Sequence, residues 1–338
     1  MIAALVRTLA ALMLGAALAW PAPSHAAARE YDFTGVLRDS FLDIREELRD
    51  AGKAGKHLVL YFEQENCPIC RSLVQANFSQ REIVGKLKRS FHVITLDVWG
   101  ARDVTLPDGK VVTEKVYAQQ LGVRFTPVLL FLDDRGGIAL RTNGYMPPAQ
   151  FGAALDFVAG RHWTKADFAT WLRARPLPAA SKTLHDQPFF DRAADLRPAA
   201  ARGMPTVLLF EHTECTECDA LHAEGFTDPG IRKLVPALRW VRLPLFGKDA
   251  AIAPDGTRTT AADLARRYKA VYAPTAIFLD AAGREVLRFD GYPKAFHFTG
   301  ALEFVSSGAH RDEPDFLRFL QRRAERLKAQ GIEVKPFQ

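Results

Sequence analysis

The chain writes one unit twice. Leu58-Val59-Leu60-Tyr61-Phe62-Glu63 leads to Cys67-Pro68-Ile69-Cys70, and Thr206-Val207-Leu208-Leu209-Phe210-Glu211 leads to Cys215-Thr216-Glu217-Cys218, at an offset of 148 (67 to 215). Phe78 and Ile83 recur as Phe226 and Ile231 at that offset. After a one-residue slip the match resumes at 147: Gly100 with Gly247, Asp108-Gly109 with Asp255-Gly256, Pro127 with Pro274, and Gly144-Tyr145 with Gly291-Tyr292. Even the tails agree, Asp167-Phe168 facing Asp315-Phe316. A match this long and ordered means two copies of one domain, and 338 residues is room for two. The expected division is an export segment over 1–28, a first domain over 29–176 and a second over 177–338. The boundary falls in Arg175-Pro176-Leu177-Pro178-Ala179-Ala180, whose prolines cannot continue a helix.

Within each copy the apolar spacing alternates between strand and helix. Phe41, Leu42, Ile44 and Leu48 predict an amphipathic helix over 41–50. The unbroken apolar run that follows reads as a strand buried on both faces. The Cys-x-x-Cys stands after it and opens a helix carrying Leu73 and Val74. Residues 91–96 read as a second buried strand, followed by a polar insertion with an Asp-Gly turn. A further helix leads into 128–132, and Asp133-Asp134-Arg135-Gly136-Gly137 turns the chain into a last strand before a closing helix. Strands alternating with helices indicate an α/β fold, a mostly parallel sheet with helices on both faces.

All 4 cysteines lie in the two Cys-x-x-Cys pairs. A disulfide framework would scatter them to staple loops, which domains of ~150 residues do not need. A sulfur at a helix N-terminus meets free N–H groups and the positive end of the dipole, which stabilise thiolate. A second cysteine one turn on can resolve a mixed disulfide. Cys67 and Cys215 are therefore assigned as attacking thiols, Cys70 and Cys218 as resolving thiols.

A buried strand, a Cys-x-x-Cys opening a helix, and then Thr126-Pro127 or Ala273-Pro274 just before another buried strand resemble the thioredoxin superfamily. Phe62-Glu63, Leu96-Asp97-Val98-Trp99-Gly100, the polar insertion and Gly144-Tyr145 narrow the resemblance to SoxW-like and DsbD-C-terminal-like periplasmic thioredoxins. It implies two tandem thioredoxin-like domains, each a central mixed sheet flanked by helices. It also implies that Pro127 and Pro274 are cis and, with Thr126 and Ala273, shape the groove for a client backbone. The activity implied is thiol–disulfide exchange, with reductase favoured, between a cysteine-bearing exported client and a membrane or soluble dithiol donor. Two departures stand out. Thioredoxin's Trp-Cys-Gly-Pro-Cys is absent, and its buried Asp six residues before the first cysteine is replaced by Tyr61 and Leu209. Glu63 and Glu211, two residues on and on the same strand face, are candidate proton acceptors; the alternative is a strand-end carboxylate facing solvent.

The two sites are expected to differ. Pro68 follows the first attacking thiol, whereas Glu214, Glu217 and Asp219 crowd the second motif. Negative charge beside a thiolate raises its pKa, so Cys67 is expected to be the readier nucleophile and the second pair the more reducing couple.

Two rival readings use the same residues. His212, Cys215 and Cys218 offer three soft ligands for Cu(I) or Zn(II), although the first motif has Gln64 in place of His212 and zinc modules keep their pairs close. Alternatively, one domain of a foldase exchanges disulfides while the other only binds. The formal charge of +6 is scattered among Asp and Glu, which speaks against nucleic acid. No phosphate loop, Ser-His-Asp order or nicotinamide fingerprint appears, so no cofactor is expected. Arg7, the apolar residues 8–20 and Ser24-His25-Ala26 read as a cleavable signal and place the protein in a periplasm; an uncleaved anchor is the alternative. The basic, amphipathic final helix, with Arg318, Arg322, Arg323 and Arg326, is expected to dock on its own domain rather than on a membrane, because Phe168, Trp171 and Leu172 match it in the first copy.

Overall fold

A computed structural model describes residues 35–65, 67–175, 180–197 and 201–334. The expected signal and most of the expected linker lie outside the described residues. The first copy runs β1 (Leu37–Arg38), α1 (Ile44–Lys53), β2 (His57–Glu63), α2 (Pro68–Phe78), α3 (Arg81–Ser90), β3 (Phe91–Asp97), β4 (Asp103–Thr105), β5 (Val111–Thr113), α4 (Glu114–Gln120), β6 (Val128–Leu132), β7 (Ile138–Asn143), α5 (Pro148–Ala159) and α6 (Phe168–Arg173). The second runs β8 (Thr206–Glu211), α7 (Thr216–Ala220), a π turn over Leu221–Gly225, α8 (Pro229–Leu234), β9 (Arg239–Pro244), β10 (Ala250–Ile252), β11 (Arg258–Thr260), α9 (Ala261–Arg267), β12 (Thr275–Leu279), β13 (Glu285–Asp290), α10 (Lys294–Ser306) and α11 (Phe316–Ala329).

Both sheets are mixed. The first has the order β1-β3-β2-β6-β7 and the second β13-β12-β8-β9. β2 and β3 are parallel, as are β8 and β9, but β6 and β12 run antiparallel to β2 and β8 and to their own hairpin partners. The expectation of a mostly parallel sheet is thus corrected, the mixed sheet that the resemblance implied is the one found, and at the β6–β7 hairpin the reason is local. The Asp133 carboxylate accepts from the Arg135 and Gly137 N–H groups, both at 2.8 Å, folding 133–137 into a turn too short for a parallel crossover. Where β1 pairs Leu37 with Val93, the second copy keeps a single bridge between Phe190 and Trp240.

The first helix also departs from expectation. It begins at Ile44 rather than Phe41, because Leu42 has a φ of +62° and the Asp43 carboxylate caps the Glu46 N–H at 2.9 Å. A side chain that satisfies a free N–H outweighs an apolar period that runs on past it; Phe41 is left fully exposed. The unbroken apolar strands are buried on both faces. Val59 and Tyr61 join one core layer while Leu58, Leu60 and Phe62 join another, and β8 divides in the same way. In α11, Phe316, Phe319 and Leu320 are buried against the second domain, and Arg323 and Arg326 both bind Glu303. Among the described residues no helix is long and apolar enough to cross a membrane.

The two domains share a seam with approximate twofold symmetry. Phe125, from the first copy, packs in the core of the second, its ring 5.0 Å from Phe289. Its counterpart Tyr272 packs in the core of the first. Ala169 and Leu317 cross in the same reciprocal way. At the centre Asn143 donates to Asp290, its own counterpart, at 2.6 Å.

Candidate functional site

The first turn of α2 is built around a sulfur. Cys67 is the N-cap, and its Sγ accepts the Cys70 N–H at 3.1 Å; Cys215 caps α7 and accepts the Cys218 N–H at the same distance. These are N–H groups that a helix leaves without a partner. Each pair is joined, with S–S distances of 2.00 and 2.04 Å. The first cysteine of each pair is the more accessible one: Cys67 is 4% exposed against 0% for Cys70, and Cys215 6% against 1% for Cys218.

The Thr126-Pro127 and Ala273-Pro274 peptide bonds are cis, and both lie beside sulfur. Thr126 Oγ1 is 3.2 Å from Cys67 Sγ. A disulfide sulfur has no proton, so the hydroxyl is the donor, and after reduction the same hydroxyl favours thiolate. In the second site Cys215 Sγ instead lies 3.4 Å from the Ala273 carbonyl oxygen. An acceptor there favours the protonated thiol.

Glu63 and Glu211 are buried, with Glu211 only 1% exposed, which overturns the alternative of a solvent-facing strand end. The Glu211 carboxyl group meets His222 Nε2 at 3.0 Å, while His222 Nδ1 meets the Gln187 amide nitrogen at 3.1 Å. Since an amide NH2 only donates, Nδ1 accepts and the Nε2–H donates to the Glu211 carboxyl group. His185 stacks on His222 at 4.5 Å and binds Asp219 at 2.6 Å. Sequence reasoning missed this histidine pair. The available signal was the repeat itself: His222 stands one turn beyond Cys218, where the first copy has apolar Val74.

The three acids of the second motif are not equivalent. Asp219 is held by His185 and by the Ser181 N–H, and Glu214 is exposed. Glu217 turns inward. Its Oε2 accepts the Tyr292 N–H at 3.2 Å, and burial pushes its carboxyl from an ordinary 4.5 up to about 7. Gly291 makes room for it: with φ at +93°, a Cβ there would stand 2.6 Å from Glu217 Oε2 and 3.3 Å from the Tyr145 carbonyl of the first domain.

His212, the third ligand of the metal reading, bonds the Thr213 carbonyl through Nδ1 and faces the Phe246 ring; burial lowers its pKa. Among the described residues no group of three His, Cys, Asp or Glu side chains is arranged to hold a metal ion.

The thioredoxin-like domain family matches the chain twice, over residues 44–159 and 192–306. No curated protein matches it in sequence. Similar solved structures include a thioredoxin-fold protein from Helicobacter pylori, 18% identical with a TM-score of 0.35, spanning 40% of this chain and 84% of that one. A thioredoxin from Thermus thermophilus is 26% identical with a TM-score of 0.28, over 34% of this chain and 83% of its own. The oxidised C-terminal domain of DsbD from Neisseria meningitidis is 16% identical with a TM-score of 0.25, over 33% and 88%.

Proposed function

Because the chain belongs to the thioredoxin-like domain family and carries that domain twice, we propose that it is an exported thiol–disulfide oxidoreductase that reduces disulfides in cysteine-bearing protein clients. The observation that carries this reading is Cys67 Sγ capping α2 within 3.2 Å of the Thr126 hydroxyl, beside cis-Pro127.

The chemistry needs only the chain and two thiols from a donor. A dithiol donor reduces the Cys67–Cys70 bond and is itself oxidised. Cys67 thiolate, stabilised by the helix terminus and the Thr126 hydroxyl, attacks a client disulfide. One client sulfur leaves as thiolate and takes a proton, and the other is held in a mixed disulfide. Cys70 then attacks Cys67 Sγ, releases the second client thiol and restores the disulfide present in this structure. Two electrons pass to the client in each cycle. The groove for a client backbone beside Pro127 and Pro274 is what the resemblance implies. Glu63 and Glu211, buried at the ends of their strands, are the groups proposed to take the proton of the resolving thiol.

The reductive direction and the periplasmic address rest on the resemblance and on the signal-like residues 1–28. Insulin reduction with dithiothreitol, run beside metal analysis of the reduced protein, tests the activity. Reduction of insulin by metal-free protein supports it; stoichiometric tight zinc or copper without reduction ends it. Amino-terminal sequencing of the protein recovered from a periplasmic fraction tests the address, with cleavage after Ala26 or Ala28 expected.

A further inference from the structure

We propose that the two cysteine pairs exchange electrons directly with each other, which makes the chain an intramolecular dithiol–disulfide relay. The inference rests on the exchange chemistry of the previous subsection and adds a second reaction partner that the chain itself supplies.

Three observations carry it. First, each motif places its inner residue in one common cleft of about 520 Å³: Ile69, between Cys67 and Cys70, lines one side, and Glu217, between Cys215 and Cys218, lines the other. Second, the loops beside the two sites touch each other. The Tyr145 carbonyl of the first domain would stand 3.3 Å from a Cβ at Gly291 of the second, and Tyr145 and Tyr292 line the same cleft. Third, the residue preceding each threonine- or alanine-proline pair is anchored in the opposite domain. Phe125 is buried in the second core and Tyr272 in the first, so each sulfur's neighbouring loop is positioned by the partner domain. Packed anchors, rather than a loose linker, set the mutual placement of the motifs, and two reacting groups held this way act at high effective concentration.

The step balances within the chain. Cys215 thiolate attacks Cys67 Sγ; the Cys67–Cys70 bond breaks and Cys70 leaves as thiolate. Cys218 then attacks Cys215 Sγ, closing the second disulfide and freeing Cys67. Two electrons, with two protons, move from the second pair to the first. That direction follows from the local contacts: the Thr126 hydroxyl stabilises a thiolate at Cys67, whereas the Ala273 carbonyl opposes one at Cys215.

The full-length oxidised protein is given half the dithiothreitol needed to reduce both pairs, quenched with acid at intervals, alkylated and mapped by mass spectrometry. Whatever label first falls on Cys215 and Cys218 is expected to drain into Cys67 and Cys70 with a rate constant unchanged over about a tenfold dilution of protein. A rate that falls in proportion to dilution, or labels that never redistribute, overturns the relay. As a second measurement, Cys70→Ser with Cys218→Ser, its two remaining thiols oxidised by added diamide, should form a Cys67–Cys215 bond within one chain; bonds formed only between chains count against the proposal. Pairs that each turn over with dithiothreitol yet redistribute only by collision defeat the relay alone. Pairs that dithiothreitol cannot reduce defeat the exchange reading, and the relay with it.

Discussion

The two cysteine pairs occupy matched places in matched domains, yet their sulfurs have different neighbours. Cys67 has a hydroxyl donor at 3.2 Å and opens a regular 11-residue helix. Cys215 has a carbonyl acceptor at 3.4 Å, a half-buried acid inside its motif and a 5-residue helix that gives way to a π turn. The backbone cradle is the same in both, an N–H at 3.1 Å from sulfur. Secondary structure therefore makes a thiolate possible at both sites, and the side chains around each one decide how readily it forms. A π turn of this kind often marks a functional position; here it carries His222 to Glu211.

The comparison can be broken most directly at the nucleophiles. Cys67→Ser should lower insulin reduction by more than about a hundredfold, because only Cys215, the less readily ionised thiol, then remains to attack. Cys215→Ser should lower it by roughly tenfold or less when dithiothreitol is the donor. Equal losses in the turbidity assay would abolish the proposed division of labour. No loss at all for Cys215→Ser, with the second pair inert to dithiothreitol, would favour a binding role for the second domain.

At the seam the two domains should behave alike. Phe125→Ala and Tyr272→Ala each remove a buried aromatic from the opposite core and should cost about 3 kcal/mol in urea unfolding. A cost confined to one of them would show that the seam is twofold in shape but not in energy.

Glu217 sharpens the difference through pH. Its carboxyl is raised in the folded protein from 4.5 to about 7, so the fold disfavours its ionised form. The associated stability is fully present below pH 4.5 and is lost as pH rises through about 7. Glu217→Gln keeps an acceptor for the Tyr292 N–H and cannot ionise. It should match the parent protein near pH 4 and exceed it above pH 8, by at most about 3 kcal/mol. A difference that does not vary between those pH values in thermal melts would mean that this carboxyl is solvated.

The smallest effects concern the thiols themselves. Against a glutathione buffer the second pair should titrate as the more negative couple, by about 30 mV; a less negative value would reverse the assignment. Thr126→Ala should slow alkylation of reduced Cys67 at neutral pH by about fivefold, with Thr126→Ser restoring it. If the alanine variant reacts at the parent rate, the hydroxyl has no part in holding the thiolate.

Much of this was legible from residue spacing. The Cys-x-x-Cys after a doubly buried strand located both sites, and Pro127 and Pro274 could be paired with them because the repeat kept them in step. What spacing misjudged was local competition. At Asp43 a capping carboxylate ended the helix that the apolar period extended to Phe41, and alternation with helices did not reveal that β6 and β12 run antiparallel to β2 and β8. His222 escaped notice because its partner Glu211 is on a strand 11 residues earlier and no spacing rule joins the two.

By itself the sequence determined the duplication, the fold class and the four sulfurs, since all of these are carried by periodicity and by residues within a few positions of one another. Only the tertiary structure decided which acids are buried, that Phe125 and Tyr272 exchange cores, and that Ile69 and Glu217 look into one cleft. Those facts depend on surfaces some 147 residues apart coming together, as Asn143 and Asp290 do at 2.6 Å. Which surfaces meet is set by the balance of burial over the whole seam, and no short stretch of chain encodes that balance.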